Sequence, residues 1–477
     1  MTTTLNPDFI AMVRPEMGEQ RYERFLASFD ENPSVSIRTN PFKWNGKTEG
    51  EQVPWCKEGR WLTERPAFTF DPMFHAGVYY VQEAASMFVD LIVRQLVKEP
   101  VTALDMCAAP GGKSTVLRSA LPAGSLLFSN EPPGPRARVL AENIQKWGHP
   151  DTVVTAAMPE DYRKSGLKFD FILTDVPCSG EGMFRKEEEA RAQWTPGLVD
   201  SCQRLQRSIV EEAWQCLKPG GILVYSTCTF NTKEDEENAL WIRHELGGES
   251  LEVDTDPQWN ITPALTKGEE VPVYRFIPGT SRSEGLFVCI FRKPCDGSDM
   301  DKATGVKKKK DKKQKPQANV KDAPTWLCEQ TNYAIHAEED VLKAIPKGWN
   351  EIYNQAKAQL RILHAGITLG TFKGKSLIPH PSLALSTAIF DGAFPKVEVD
   401  YATAIAYLRG EAICLPPDTP KGFTLICYGT VHLGFAKNIG SRANNLFPQE
   451  WKIKSTHIPA TPPSTGIHTD HKTHKQA

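Results

Sequence analysis

No stretch of this 477-residue chain has the roughly 20 consecutive apolar residues that a membrane-spanning helix needs. The longest apolar stretches, such as FVDLIVRQLV, are short and broken by charge. The opening residues, MTTTLNPDFIAMVRPEM, lack the basic segment followed by an apolar core that marks a secretory signal. No two cysteines have the C-x-x-C spacing, and the 11 cysteines are an odd, scattered set. Cys289 and Cys295 have no His/Cys cluster to complete a zinc site. Reduced thiols, a cytoplasmic location and no metal are therefore expected. One sign of charge is not in excess either. The formal net charge is −2, so the chain as a whole does not advertise nucleic-acid binding.

What is present is a globular composition, 40% hydrophobic and 24% charged, long enough for two to four domains. Residues 1–100 read as a helical extension, with PDFIAMVRPEM and QRYERFLASFD showing apolar residues at helical spacing. From 101 to 295 strand and helix alternate. TALDMC, SLLFSNE, TVVTAAM, FDFILTDVP, GILVYSTC and GLFVCIFRK read as short buried strands, with helical segments between them. This predicts an α/β, Rossmann-like fold whose ligands bind beyond the carboxyl ends of the strands. Residues 296–323 form a linker nearly free of large apolar side chains, with nine lysines and one aspartate between 302 and 321. The run suits RNA phosphates or is simply a solvated linker. A C-terminal subdomain is expected at 324–392 and a small β-rich domain at 393–460. RILHAGITLGTF, GFTLICYGTVHLGFAK and EWKIK read as hairpin strands, and TAIAYLRG as a short helix. A disordered tail is expected at 461–477, where His468, His471 and His474 carry no metal reading.

The turn DMCAAPGGK follows a strand and precedes a helix. Gly111 and Gly112 let the backbone approach a ligand, and the helix start offers free N–H groups. The turn lacks G-x-G-x-x-G, which disfavours a nicotinamide cofactor. It also lacks the upstream glycine of a phosphate-binding Walker loop. S-adenosylmethionine is left as the best candidate. Glu131, ending SLLFSNE, is placed to accept from its ribose hydroxyls.

Cys178 and Cys228 each end a predicted strand. If the two strands adjoin, both sulfurs face one crevice, with Asp175 between them and the cofactor. Methylating carbon 5 of a cytosine needs this equipment. The ring carbon is a poor nucleophile until a thiolate adds at carbon 6, an acid near ring N3 favours that addition, and a base later removes the proton at carbon 5. Cys107, Cys202, Cys216, Cys289, Cys295 and Cys427 read as packing residues.

Together CAAPGGK, DVPCSGEG-MFRK and STCT, in this order, resemble the RNA 5-methylcytosine methyltransferases of the Nol1/Nop2/Sun family. RTNP (38–41), YYVQEAASM (79–87) and RFIPGTSRSEGLFVCIFRK (275–293) extend the likeness. The resemblance implies that Cys228 is the nucleophile and that Cys178 assists release of the product. It implies that Cys107, Ala108, Ala109, Pro110, Gly111, Gly112, Lys113, Glu131 and Asp175 bind S-adenosylmethionine. It also implies RNA contacts at Lys186 and Arg38. The segment LGFAKNIGSRANNLFPQEWKI resembles the PUA-like part of the RsmF-type 16S rRNA enzymes of that family. Lys437 and Arg442 are its candidate RNA contacts, while Phe435 and Phe447 are expected in the core. One position departs from the family. After the third strand, where an Asn or Asp usually meets the adenine, this chain has Ala156, Ala157 and Met158. Adenine recognition is then expected from backbone groups, Glu160 or Asp161. The expectation is a monomeric RNA methyltransferase acting on rRNA. A tRNA target, a small-molecule methyltransferase and a non-catalytic RNA-binding assembly factor stay open as alternatives.

Overall fold

The structure, a computed structural model, describes residues 5–266, 268, 271–295 and 323–467. The lysine run and the three tail histidines lie outside the described residues. At the centre is a nine-stranded mixed sheet. Its five parallel strands are β1 (Thr102–Asp105), β2 (Leu126–Asn130), β3 (Thr152–Thr155), β4 (Phe169–Asp175) and β5 (Leu217–Thr227). They lie in the order β5-β4-β1-β2-β3, and β6 (Leu286–Arg292) runs antiparallel beside β5. Successive side chains on a strand point to opposite faces. Leu104, Phe128, Ile172 and Leu223 accordingly enter one core cluster, and Ala103, Leu127, Phe171 and Val224 the other. Both faces are covered by helices, so the strands read as unbroken apolar runs.

The N-terminal region is less helical than its sequence suggests. Two helices, Pro7–Met17 and Glu19–Ala27, are followed by a four-stranded antiparallel sheet built from Val35–Thr39, Glu51–Gln52, Gly59–Leu62 and Tyr79–Val81. The first helix starts at Asn6, whose side chain accepts from the Asp8 N–H, and it buries Phe9, Val13 and Met17. These residues pack with Phe25 against Phe184 and Phe230, in the loops that follow Cys178 and Cys228. Burying such side chains contributes roughly 1.5–3 kcal/mol each, so this helical pair anchors the loops that follow the two cysteines.

The C-terminal region does not stand apart. Within RILHAGITLGTF, Gly366 has φ +56°, and a Cβ there would collide with the Ala344 carbonyl oxygen. The chain breaks there. Ile362–Ala365 adds antiparallel to β3 at the edge of the catalytic sheet, and Ile367–Lys373 joins a separate four-stranded sheet. A second small sheet contains the expected hairpin, Gly422–Tyr428 with Val431–Asn438, beside the helix Tyr401–Leu408. Phe435 and Phe447 are buried, as expected. EWKIK is not a strand: Gln449–Trp451 is a 3-10 turn that buries Trp451. The tail from 461 to 467 is ordered. Ile467 bridges to Thr48, and the buried Thr465 donates to Asp71. Among the described residues, no helix is long and apolar enough to cross a membrane.

Candidate active site

β4 and β5 are adjacent and parallel, with Asp175 opposite Ser226. The chain leaves both strands at the same edge, so the two cysteines meet. Cys178 Sγ and Cys228 Sγ are 3.1 Å apart, and the Cys228 N–H points at Cys178 Sγ at 3.5 Å. The hydrogen bond with Cys228, and then burial, push the Cys178 thiol well up. Either thiol can be the donor of the pair.

Asp175 links the sulfurs to the cofactor turn. Its Oδ1 accepts from Ser226 Oγ at 2.7 Å and from Lys113 Nζ at 2.9 Å. Burial works against the Lys113 ammonium, but the Asp175 charge and hydrogen bond outweigh it, with Cys228 and Asp105 adding. Its pKa is held above the usual lysine value. Lys113 is thus a fixed cation beside Asp175.

Cys178 and Cys228 are held by a network that the sequence reading missed. Glu181, 1% exposed, accepts from the backbone N–H of Phe230 (2.6 Å) and Asn231 (3.0 Å), from Asn231 Nδ2 (2.8 Å) and from Trp194 Nε1 (3.0 Å). It therefore ties the Cys178 loop to the Cys228 loop. Burial, with the nearby Glu234 charge, pushes the Glu181 carboxyl up to about 7. Glu234 accepts from the Ser179 N–H at 3.0 Å and from Gln206 Nε2 at 2.6 Å. Thr227 and Thr229, which flank Cys228, both donate to Asp235, and Asp235 pairs with the buried Arg275. In sequence these acids belong to NTKEDEE and GEG, which read as a charged helix start and a turn. Only their convergence on the cysteine loops marks them.

On the other side of Asp175 lies the Cys107–Lys113 turn. Gly111 takes φ +113° and caps the helix Gly112–Ala120. Asp105 ends β1 in full burial. Its Oδ2 accepts from Ser114 Oγ at 2.6 Å, while Oδ1 has no partner among the described residues. Burial pushes this carboxyl up to about 7. Glu131 accepts from the Ala109 N–H at 3.2 Å and pairs with Arg136 at 3.1 Å. An unpartnered buried carboxylate oxygen suits an ammonium, and a second acid at the end of the next strand suits ribose hydroxyls. These residues fit S-adenosylmethionine: Asp105 and Glu131 would hold it over the turn.

Three expectations change here. The amides after β3 are all taken: Ala156 N–H by Arg361 O, Ala157 N–H by Asn130 Oδ1 and Met158 N–H by Asp161 Oδ2. Those three amides are not free for an adenine, while Asp161 Oδ1, Glu160 and the exposed Met158 side chain remain. Arg38 is not an RNA contact. It is 1% exposed, donates to Gln82, Ser119 and Thr115, and lies 4.6 Å over the Trp147 ring. Cys295 is exposed rather than packed. Lys186 is exposed beside the Cys178 loop, and Lys437 and Arg442 are exposed on the C-terminal domain.

Comparison with known proteins agrees with this geometry. Residues 95–292 match the family model of the 16S rRNA methyltransferase RsmB/F. Residues 5–84 match the N-terminal domain of 16S rRNA methyltransferase RsmF, and 394–453 the RsmF PUA domain. The ribosomal RNA small subunit methyltransferase F of Aliivibrio salmonicida is 30% identical over 93% of this chain and 97% of its own length. That of Shewanella loihica is 28% identical over 94% and 95%. A methyltransferase homolog protein from Pyrococcus horikoshii superposes with a TM-score of 0.52 at 28% identity, over 60% of this chain and 95% of that one. NSun6 from the same organism, solved with SFG, gives 0.53 at 18% identity over 62% and 100%, a likeness of fold. With three family models in order along it and near-full-length relatives, the chain belongs to the RsmF family of S-adenosylmethionine-dependent 16S rRNA methyltransferases.

Proposed function

We propose that this chain methylates carbon 5 of a cytosine in 16S rRNA, in the cytoplasm, through a transient bond between Cys228 Sγ and carbon 6. The observation that carries this reading is the pair of sulfurs 3.1 Å apart at the ends of adjacent strands, backed by Asp175 and Lys113. When bound, S-adenosylmethionine supplies an electrophilic methyl group. The Cys228 thiolate adds to carbon 6, and the ring electrons become available at carbon 5 for the new C–C bond. Asp175, near ring N3, favours this addition. Once carbon 5 carries the methyl group, a base removes its proton. The electron pair reforms the ring double bond and expels Cys228, which the Cys178 thiol assists as the adjacent proton donor. The target base must leave its stack to reach the sulfurs.

Tritiated methyl transfer to 16S rRNA and to 30S subunits tests the reading. Cys228→Ala should abolish transfer, and Cys178→Ala should accumulate a covalent protein–RNA adduct. Normal turnover by Cys178→Ala without an adduct would refute the assigned roles. Bisulfite sequencing reads the position, and a product only in tRNA would overturn the substrate.

A further inference from the structure

Behind the helix Pro135–Trp147, on the side away from the cofactor turn, lies a second cavity of about 620 Å³. Its walls come from four parts of the chain. Arg138 and Gln145 project from the helix, His364 from the strand added to β3, His380 from the intermediate sheet region, and Trp451 from the C-terminal domain. Pockets of this size hold small organic ligands.

The walls mix polar and apolar side chains. His364 is 4% exposed and makes no hydrogen bond among the described residues. Trp451 is 9% exposed, and its indole N–H has no partner there either. Polar tips that reach the cavity without a protein partner are open to hydrogen bonds from an occupant. Burial, with His380 and Lys343 adding, pushes His364 down to about 3, and burial takes His380 to about 4. Both rings are neutral, and each offers one donor and one acceptor. His380 Nδ1 accepts from the Ser382 N–H at 3.1 Å, so its proton sits on Nε2. Charge around the cavity is balanced. Glu142 is paired with Lys146, and Lys343 with Glu338. That leaves the unpaired Arg138 at the rim and Glu450 opposite. Balanced charge with mixed donors and acceptors suits a nucleobase better than a bare phosphate. A single cation at the rim suits the one phosphate attached to it. Proteins that read single-stranded RNA take splayed bases in this manner.

We propose that this cavity binds an unpaired base of the substrate RNA, a second base distinct from the one at the thiols. The proposal rests on the RNA-methylating reading above. It assigns the added strand and the C-terminal domain a direct part in choosing the site.

The test uses the full chain and 16S rRNA carrying 4-thiouridine or 6-thioguanosine, crosslinked by light and mapped by mass spectrometry. Crosslinks are expected in peptides containing His364, His380 or Trp451. Arg138→Glu, an exposed change that leaves the core intact, and His364→Phe, which fills the cavity, should raise the KM for RNA about 10-fold and leave kcat unchanged. Methylation with unaltered KM in both variants and no crosslinks there would overturn the cavity alone. RNA that crosslinks there but is never methylated by the wild-type chain would support the cavity and refute the methylation reading.

Discussion

Glu181→Ala is the most informative perturbation of the thiol site that spares both thiols. Among the described residues, its carboxylate is the sole acceptor holding the Phe230 and Asn231 backbone N–H groups and the Trp194 indole N–H. Asn231 Nδ2 and the Ser179 hydroxyl keep Glu234 as a partner. Alanine therefore orphans three buried donors. At about 1–3 kcal/mol each, the sum is about 3–9 kcal/mol. Water entering the space left by the side chain offsets part of this, and a local loss of about 4 kcal/mol is expected. Because the chain has several folding units, a global midpoint would blur the effect. Amide hydrogen exchange reads it locally. Exchange at residues 230 and 231 should speed up about 1,000-fold, since each 1.4 kcal/mol is a factor of ten. Methyl transfer should fall with it as the Cys228 loop loosens. Glu181→Gln can still turn a carbonyl oxygen toward the two backbone amides, so its exchange should lie much closer to wild type. If Glu181→Ala speeds exchange at 230 and 231 by less than 10-fold, the carboxylate does not clamp the two loops.

Arg38→Met should destabilise the junction of the N-terminal sheet with the helix Gly112–Ala120 by about 3 kcal/mol, because it strands buried partners. The salt dependence of RNA binding should not change, whereas a phosphate contact would lower the salt slope by about one. Lys113→Met should reduce kcat about 100-fold, the usual scale for removing a charged group aimed at a reacting site. An unchanged kcat would remove Lys113 from the thiol centre. Lys43 donates to the carbonyls of Ala76 (2.8 Å) and Lys146 (2.6 Å), and burial pushes its pKa down to about 7. The folded value lies below the unfolded value near 10.4, so what the lysine contributes shrinks as pH falls from 10 towards 7. Thermal shifts should show Lys43→Met costing more at pH 9.5 than at pH 7.

The catalytic sheet was legible because its strands are buried on both faces and read as apolar runs ending in turn residues. The thiol pair was legible because both cysteines close such runs. Strand pairing, however, set the spacing of the sulfurs. The N-terminal sheet escaped because its strands are two to five residues long, too short to show a period. The RNA contact at Arg38 came from the family resemblance, which says nothing of burial. The partners of Arg38, Gln82, Thr115 and Trp147, are far along the chain. Glu181 and Glu234 looked like solvated acids for the same reason. The amides after β3 were misjudged because their acceptors include Arg361, from a region that looked independent.

That same region gives the sheet its last row of hydrogen bonds, with Ile362 opposite Thr155. During synthesis β3 emerges long before its neighbour and waits with an open ladder of amides and carbonyls. Open ladders of this kind recruit strands from other chains. A fragment ending near residue 295 would keep every residue assigned to methyl transfer and still be expected to self-associate. The C-terminal half therefore acts as the catalytic unit's own stopper, and the long separation between partner strands makes late synthesis the vulnerable stage of this chain's life.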